Sequence, residues 1–283
     1  MTSFTYKSLE ALLRLGGLQK KTAKIISSGT QASSKPRFRV KNRWTRSEFQ
    51  GRDIWTCIPK NRTSDTVYIH QHGGAYAMGL MDLQYWTMTR LADMSGTTII
   101  MPDYPLLGEA GAEDIIQFAT DHWQASVDEY GLDNLKLGGD SAGAHLALAI
   151  ARMAENPPDH LLLLSPWVDL ELSDLEDGVE LLEPILEPVS LKAAGKRFIG
   201  EGDPREALNS PRFADLKTLP KMSIFTGEKD LLHASILDFA HRAQEAGQIE
   251  KLAVYGEFGH YWMFYPTPDR ASTLVELARI ISA

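Results

Sequence analysis

The stretch that most constrains this chain is Gly139-Asp140-Ser141-Ala142-Gly143. Ahead of it, Leu135-Lys136-Leu137-Gly138 reads as a short apolar strand; behind it, His145 to Ala154 is a strong helix former. A serine flanked by glycines between a strand and a helix implies a turn so tight that only small neighbours fit, with the serine in a strained backbone conformation. Such a turn lifts the Ser141 hydroxyl above the end of the sheet. It also aims the next N–H, that of Ala142, at the same point, where the positive end of the helix dipole adds to it. A serine that merely caps a helix fits the same five residues, so the weight of the motif depends on its companions.

The chain around it alternates strand and helix patterns. Thr66 to Gln71, Thr97 to Met101, Leu161-Leu162-Leu163-Leu164, and residues 221–226 and 251–255 read as strands. Residues 82–95, 112–130, 234–246 and 268–282 read as helices. The run of four leucines predicts a strand covered on both faces. Alternation of this kind predicts an α/β fold with a mostly parallel central sheet and helices on both faces. Before it, residues 4–27 read as one helix with Leu9, Leu12, Leu13 and Gly16 on one face, and residues 37–44 alternate like a half-exposed strand. Residues 53–59 read as a further strand, closed by Pro59.

One segment interrupts the alternation. Residues 168–206 carry Asp169, Glu171, Asp174, Glu176, Asp177, Glu180, Glu183 and Glu187, with Pro184 and Pro188, and read as an inserted helical cap. Charge is uneven: residues 1–62 hold 14 Lys and Arg against 3 Asp and Glu, leaving 15 against 34 in the rest. The basic arm and the acidic insertion are therefore expected to dock on each other, with apolar contacts from Leu9, Leu12 and Leu13 dominating, since exposed ion pairs contribute only about 0–1 kcal/mol each.

At 283 residues the chain reads as one domain, 1–283. A net charge of −8 argues against a general nucleic-acid binder. No apolar run reaches the roughly 18 residues of a membrane span, and the start shows no signal-peptide pattern, so the expected location is cytoplasmic. The single cysteine, Cys57, excludes an internal disulfide. No phosphate-cradling or dinucleotide fingerprint occurs, and no cofactor is expected.

Three chemistry-bearing features fall at the C-terminal ends of predicted strands, where an open α/β sheet places its ligand crevice. Ser141 is a nucleophile once a base takes its proton. His260, just after the last strand, suits proton shuttling near neutral pH. Asp230, in Gly227-Glu228-Lys229-Asp230 after the penultimate strand, would fix the imidazole tautomer; Glu228 competes for this role, and Asp230 is favoured because Gly227 allows the turn and a short side chain needs less room. In His72-Gly73-Gly74-Ala75, the backbone N–H groups of Gly73, Gly74 and Ala75 offer an oxyanion hole together with that of Ala142. His70 and His72 share a strand face and could form a metal pair, but no third ligand is nearby in sequence, and no metal is expected. The aromatic residues Tyr76, Trp86, Trp167 and Trp262 fit either a confined apolar substrate pocket or plain core.

These residues together resemble the bacterial hormone-sensitive-lipase-like carboxylesterases of the α/β-hydrolase superfamily. The resemblance runs from about residue 66 to the C-terminus. It rests on His72 to Tyr76, Asp103-Tyr104, Gly139 to Gly143, Leu164 to Leu170, Ser210 to Leu216 and Gly227 to Leu231. It implies Ser141 as nucleophile, His260 as base and then acid, Asp230 as the orienting carboxylate, and Gly74, Ala75 and Ala142 as oxyanion donors. It further implies a cap over the site built from the N-terminus and from the insertion, here residues 1–45 and 170–206. The chain departs from the family at Ala75, where glycine is usual, and after Tyr104, where Pro105-Leu106-Leu107-Gly108-Glu109 replaces the usual Arg-Leu-Ala-Pro-Glu.

The expectation is a serine hydrolase for short-chain carboxylic esters, acting on small molecules through an acyl-enzyme, as a monomer or homodimer. Two alternatives remain open on sequence: an amidase or peptidase on the same triad, and a non-catalytic small-ligand-binding protein on the same scaffold.

Overall fold

In a computed structural model, which describes residues 4–29, 32–175 and 178–283, one eight-stranded sheet organises the molecule. The elements, in chain order, begin with helices α1 (Phe4–Leu15) and α2 (Leu18–Ser28), followed by a 3-10 turn over Phe38–Arg43 and strands β1 (Trp44–Phe49), β2 (Arg52–Cys57) and β3 (Val67–Gln71). Next come α3 (Asp82–Ser95), β4 (Thr98–Pro102), α4 (Ala112–Tyr130), β5 (Leu135–Asp140), α5 (Ala142–Met153) and β6 (His160–Leu164). The chain finishes with α6 (Pro188–Ile199), β7 (Lys221–Gly227), α7 (His233–Glu245), β8 (Ile249–Tyr255) and α8 (Ala271–Ser282).

Strand order is β1-β2-β4-β3-β5-β6-β7-β8. The first two pairings are antiparallel and all those from β4 onward are parallel. Every residue of β3, β4 and β6 is buried, which requires cover on both faces of the sheet. Because β3, β5, β6 and β7 run parallel, their C-terminal ends open at one edge, and the loops after them meet there. No helix among the described residues is long and apolar enough to cross a membrane.

Two expectations at the N-terminus are corrected. The helix expected over residues 4–27 is two helices, broken where Gly17 takes a left-handed conformation at φ 62°. The strand expected over residues 37–44 is a 3-10 turn, and the true strand starts at Trp44. A short polar–apolar alternation does not separate these forms, and the pairing partner that settles it arrives later in the chain. Gln50 and Gly51, both at positive φ, close the β1–β2 hairpin as a two-residue loop of the type that matches strand twist.

Helix α2 packs against α6. The joins are side chains reaching main-chain carbonyls: Arg197 to Ile26 O at 2.6 Å, and Gln19 to Glu183 O and Leu186 O at 2.9 and 2.8 Å. Arg14 likewise donates to Leu182 O. Among the described residues no ion pair joins these segments, in keeping with the small weight expected of exposed pairs. Of the leucines singled out, Leu9 and Leu13 pack against the core, whereas Leu12 is 65% exposed. Residues 1–3, 30 and 31, and Glu176 and Asp177 of the acidic insertion, lie outside the described residues.

Candidate active site

The turn after β5 shows why the motif needs its residue types. Ser141 sits at φ 53°, ψ −117°, a strained conformation for a side-chain-bearing residue. A Cβ on Gly143 would lie 2.0 Å from Gln71 O, and one on Gly139 2.5 Å from the Gly143 carbonyl, so both flanking positions admit only glycine. The Ser141 N–H donates to Leu164 O at 2.9 Å and its carbonyl accepts from His145 and Trp167, which fixes the turn between β5 and β6.

His260 lies in the loop after β8 and Asp230 in the loop after β7; both are buried. Asp230 closes a turn on Gly227, where a Cβ would come 2.1 Å from Phe258 O. His260 Nδ1 donates to both carboxylate oxygens of Asp230 at 3.0 Å, and Leu232 N–H adds a third bond to Oδ1 at 3.0 Å. Burial alone would raise the Asp230 carboxyl, but the His260 charge and hydrogen bond more than offset this and hold it below its ordinary value. Burial likewise works against the imidazolium, and the Asp230 carboxylate outweighs it, so the His260 pKa is raised. Glu228, the competitor, is on the surface side of the turn, its carboxylate near Gly256.

Ser141 and His260 open into one cavity of about 430 Å³, and Gly74 and Ala75 line it with them. No hydrogen bond joins the Ser141 hydroxyl to His260, and Nε2 of that ring has no partner among the described residues.

The loop after β3 is shaped for N–H presentation. Gly74 sits at φ 133°, where a Cβ would strike Met78 O at 2.2 Å, and Ala75 follows at φ 54°. The N–H groups of Gly74 and Ala75 have no hydrogen-bond acceptor among the described residues. Ala142 opens α5, where first-turn N–H groups lack intrahelical partners. Gly73 is a correction: its N–H donates to Asp140 Oδ2 at 3.0 Å and is not free to act as an oxyanion donor. Asp140 also accepts from His70 Nε2 at 2.8 Å, so this carboxylate ties the glycine loop to the serine turn. Sequence reasoning passed over Asp140, although its place directly before Ser141 was the available signal.

His70 and His72 are both engaged, the first with Asp140 and Tyr68, the second stacked on Tyr104 at 4.1 Å. Among the described residues no three His, Cys, Asp or Glu gather to hold a metal ion. The aromatic set is the second correction, since none of its members lines the cavity. Tyr76 stacks on Phe198 at 4.4 Å and bonds His145 Nδ1 at 2.6 Å. Trp167 and Trp262 are fully buried, and Trp86 lies under the Arg270 guanidinium at 4.3 Å. Large flat side chains at these positions fill core rather than face a ligand. The walls are aliphatic instead: Leu13, Leu18, Ile25 and Ile26 from α1 and α2, Met78, Met81 and Leu83 ahead of and within α3, and Ile185 and Leu186 ahead of α6, with Tyr261 and Tyr265.

A family model of the α/β hydrolase fold matches residues 67–264. The chain belongs to that family. An esterase of Acinetobacter venetianus is 29% identical to this α/β hydrolase over 238 residues, covering 80% of this chain and 78% of the relative. An acetyl-hydrolase of Streptomyces hygroscopicus is 27% identical over 224 residues, covering 77% and 75%. Among solved structures, a hormone-sensitive lipase from a metagenome library superposes with a TM-score of 0.84 at 24% identity, covering 100% of this chain and 99% of its own. An esterase from the bacterial hormone-sensitive lipase family superposes at 0.82 and 20% identity, covering 100% and 98%.

Proposed function

We propose that this α/β hydrolase is a serine esterase that cleaves short-chain carboxylic esters through an acyl-enzyme, with Ser141 as nucleophile, His260 as base and then acid, and Asp230 as the orienting carboxylate. That the chain is an esterase is the coarse reading, and the names of its relatives support it. One observation carries the finer reading. An imidazole fixed through Nδ1 by a buried carboxylate keeps an unpartnered Nε2 and lines the same cavity as the strained serine.

Ser141 Oγ attacks the ester carbonyl while His260 Nε2 takes its proton. The carbonyl oxygen becomes an oxyanion, held by the N–H groups of Gly74, Ala75 and Ala142. Collapse breaks the bond to the alkoxide, which leaves as alcohol with the proton from His260. Water then attacks the acyl-serine with the same base, releasing the acid and restoring the hydroxyl. Asp230 keeps the proton on Nδ1 and stabilises the imidazolium in both halves.

A cavity of about 430 Å³ lies toward the small end of ligand sites, and its walls are aliphatic, which supports small apolar acyl or alcohol groups. The N-terminal helices and the segment ahead of α6 form part of those walls and act as a cap. Two measurements test the reading. Fluorophosphonate should label the wild-type chain at Ser141, and p-nitrophenyl acetate and butyrate should be turned over faster than the dodecanoate or a matched anilide. Absence of labelling ends the serine hydrolase reading; a rate that climbs through the long acyl chains, or that is greater on the anilide, ends the short-chain ester assignment.

The base must be neutral to act. With the His260 pKa raised, kcat/KM should fall with acidification about a midpoint above the ordinary histidine value of about 6.5.

A further inference from the structure

We propose that Glu183 is a positioning residue for the base: its buried carboxylate grips the main chain of His260 and adds a negative charge that the imidazolium feels. The proposal rests on the roles given above to Ser141, His260 and Asp230.

Glu183 belongs to the acidic insertion, yet unlike its acidic neighbours Glu171 and Asp174 it is completely buried. Both carboxylate oxygens are engaged. Oε2 accepts the His260 N–H at 2.8 Å and Oε1 accepts the Ile185 N–H at 2.8 Å. The main chain at Glu183 is itself held, because Gln19 of α2 donates to its carbonyl at 2.9 Å. The residue before the base is fitted to this contact: a Cβ on Gly259 would lie 3.1 Å from Pro184 Cδ and 3.2 Å from Glu183 Oε2. Gly259 N–H donates to the Tyr6 hydroxyl at 2.9 Å. The loop carrying His260 is therefore tied at two consecutive N–H groups to parts of the chain outside the sheet, one tie neutral and one charged.

The charge needs a reason. Burying a carboxylate costs far more than burying a carbonyl or amide oxygen that could accept the same bonds. The titratable groups facing Glu183 are His260 and Asp230 from the sheet loops, Tyr6 from α1, and Tyr265. His260 is the one group there whose charge rises during the reaction, and an anion close to it favours the charged form. Burial, reinforced by Asp230, pushes the Glu183 carboxyl up to about 7, out of the usual carboxylate range. The next two residues, Ile185 and Leu186, line the cavity. One short segment thus walls the substrate space and holds the base.

The test is the rate of fluorophosphonate labelling against pH in the full-length chain, for wild type, Glu183→Gln, Glu183→Asp and Tyr6→Phe. Glu183→Gln should slow labelling at pH 8 by about tenfold, as a misplaced base does, and should move the acid limb about one pH unit downward, as loss of a nearby anion does. Glu183→Asp keeps the charge and should leave the limb near its wild-type midpoint, whatever the rate. Tyr6→Phe cuts the neutral tie and should slow labelling without moving the limb. Failure of the wild type to label speaks against Ser141 as nucleophile rather than against Glu183. A folded Glu183→Gln with wild-type rate and limb overturns the proposal, as does a Tyr6→Phe limb displaced equally far. If Glu183→Gln does not fold, the wild-type limb decides: an anion that titrates beside the base spreads it over a wider pH range than a one-proton curve, and a one-proton limb in the ordinary histidine range overturns the proposal.

Discussion

The turn after β5 and helix α2, which packs on α6, both border the cavity, and they are built on different principles. At the turn, single atoms decide. Gly139, Gly143 and Gly74 each leave no room for a methyl group, and Ser141 is held in a conformation that its neighbours must enforce. At the helix pair nothing is so exact. Ile26 is buried, Arg197 and Gln19 reach carbonyls, and the rest is apolar contact shared over many residues. A site built from steric exclusions should fail abruptly when one atom changes, whereas a wall built from many weak contacts should erode by degrees.

The largest effect is expected at the proposed nucleophile. Ser141→Ala should lower kcat for p-nitrophenyl butyrate by about 10⁴-fold or more while leaving the melting temperature within a few degrees, since removing one member of a triad costs as much as removing all of it. Calorimetry and steady-state kinetics check this together. Gly74→Ala should come next. The methyl group has to displace Met78 O, and the φ of 133° is foreign to alanine, so the oxyanion loop must move. Loss of one well-placed donor costs about 10²–10³-fold in kcat. A Gly74→Ala enzyme within threefold of wild type would mean that this N–H is not used.

On the other side of the comparison, Ile26→Ala removes a fully buried side chain that also lines the cavity. About 2–4 kcal/mol of stability should be lost, less if the cavity lining collapses inward. KM for butyryl esters should rise more than kcat falls, because the wall contacts substrate and transition state alike. Denaturant unfolding and a kinetic comparison separate the two effects.

Glu183 joins α2 to the loop that carries His260, and its ionisation gives a stability test. Its carboxyl is raised from 4.5 to about 7, so the folded chain keeps a proton there that the unfolded chain has released. That contribution favours folding at low pH and is lost as pH rises from about 4.5 to 7. Glutamine does not titrate. The melting temperature of Glu183→Gln relative to wild type should therefore move in the variant's favour between pH 5 and pH 8, while its activity falls. A difference that stays constant across that range would contradict a buried, titrating carboxylate.

What could be read in advance divides along the same line. The strand ends carrying Ser141, Asp230 and His260 were legible because tight turns demand particular residues and so leave a local signature, and the four leucines of β6 announced a strand buried on both faces. Gly73 was misread because its N–H is claimed by Asp140, a partner 67 residues away. The aromatics stayed open between pocket and core because a tryptophan written near a motif can as well fill the core beneath it. Glu183 was hidden within a run of acidic residues, and nothing in the run marks the one that turns inward to His260. The break at Gly17 was visible only as Gly16-Gly17 inside a helical pattern.

The smallest effect tests the helix pair at its surface. Arg197 is exposed, and its guanidinium donates to Ile26 O at 2.6 Å near the C-terminal end of α2, where helix carbonyls lack intrahelical partners. The alternative acceptor for that guanidinium is water, so Arg197→Ala should cost only about 1 kcal/mol, the usual net value of such a bond. For a chain of this size that is a fall of about 2–4 °C in melting temperature, with kcat unchanged. A loss several times larger, or a fall in kcat approaching that of Gly74→Ala, would mean that the helix pair is held at single points, as the serine turn is, and the distinction between the two regions would dissolve.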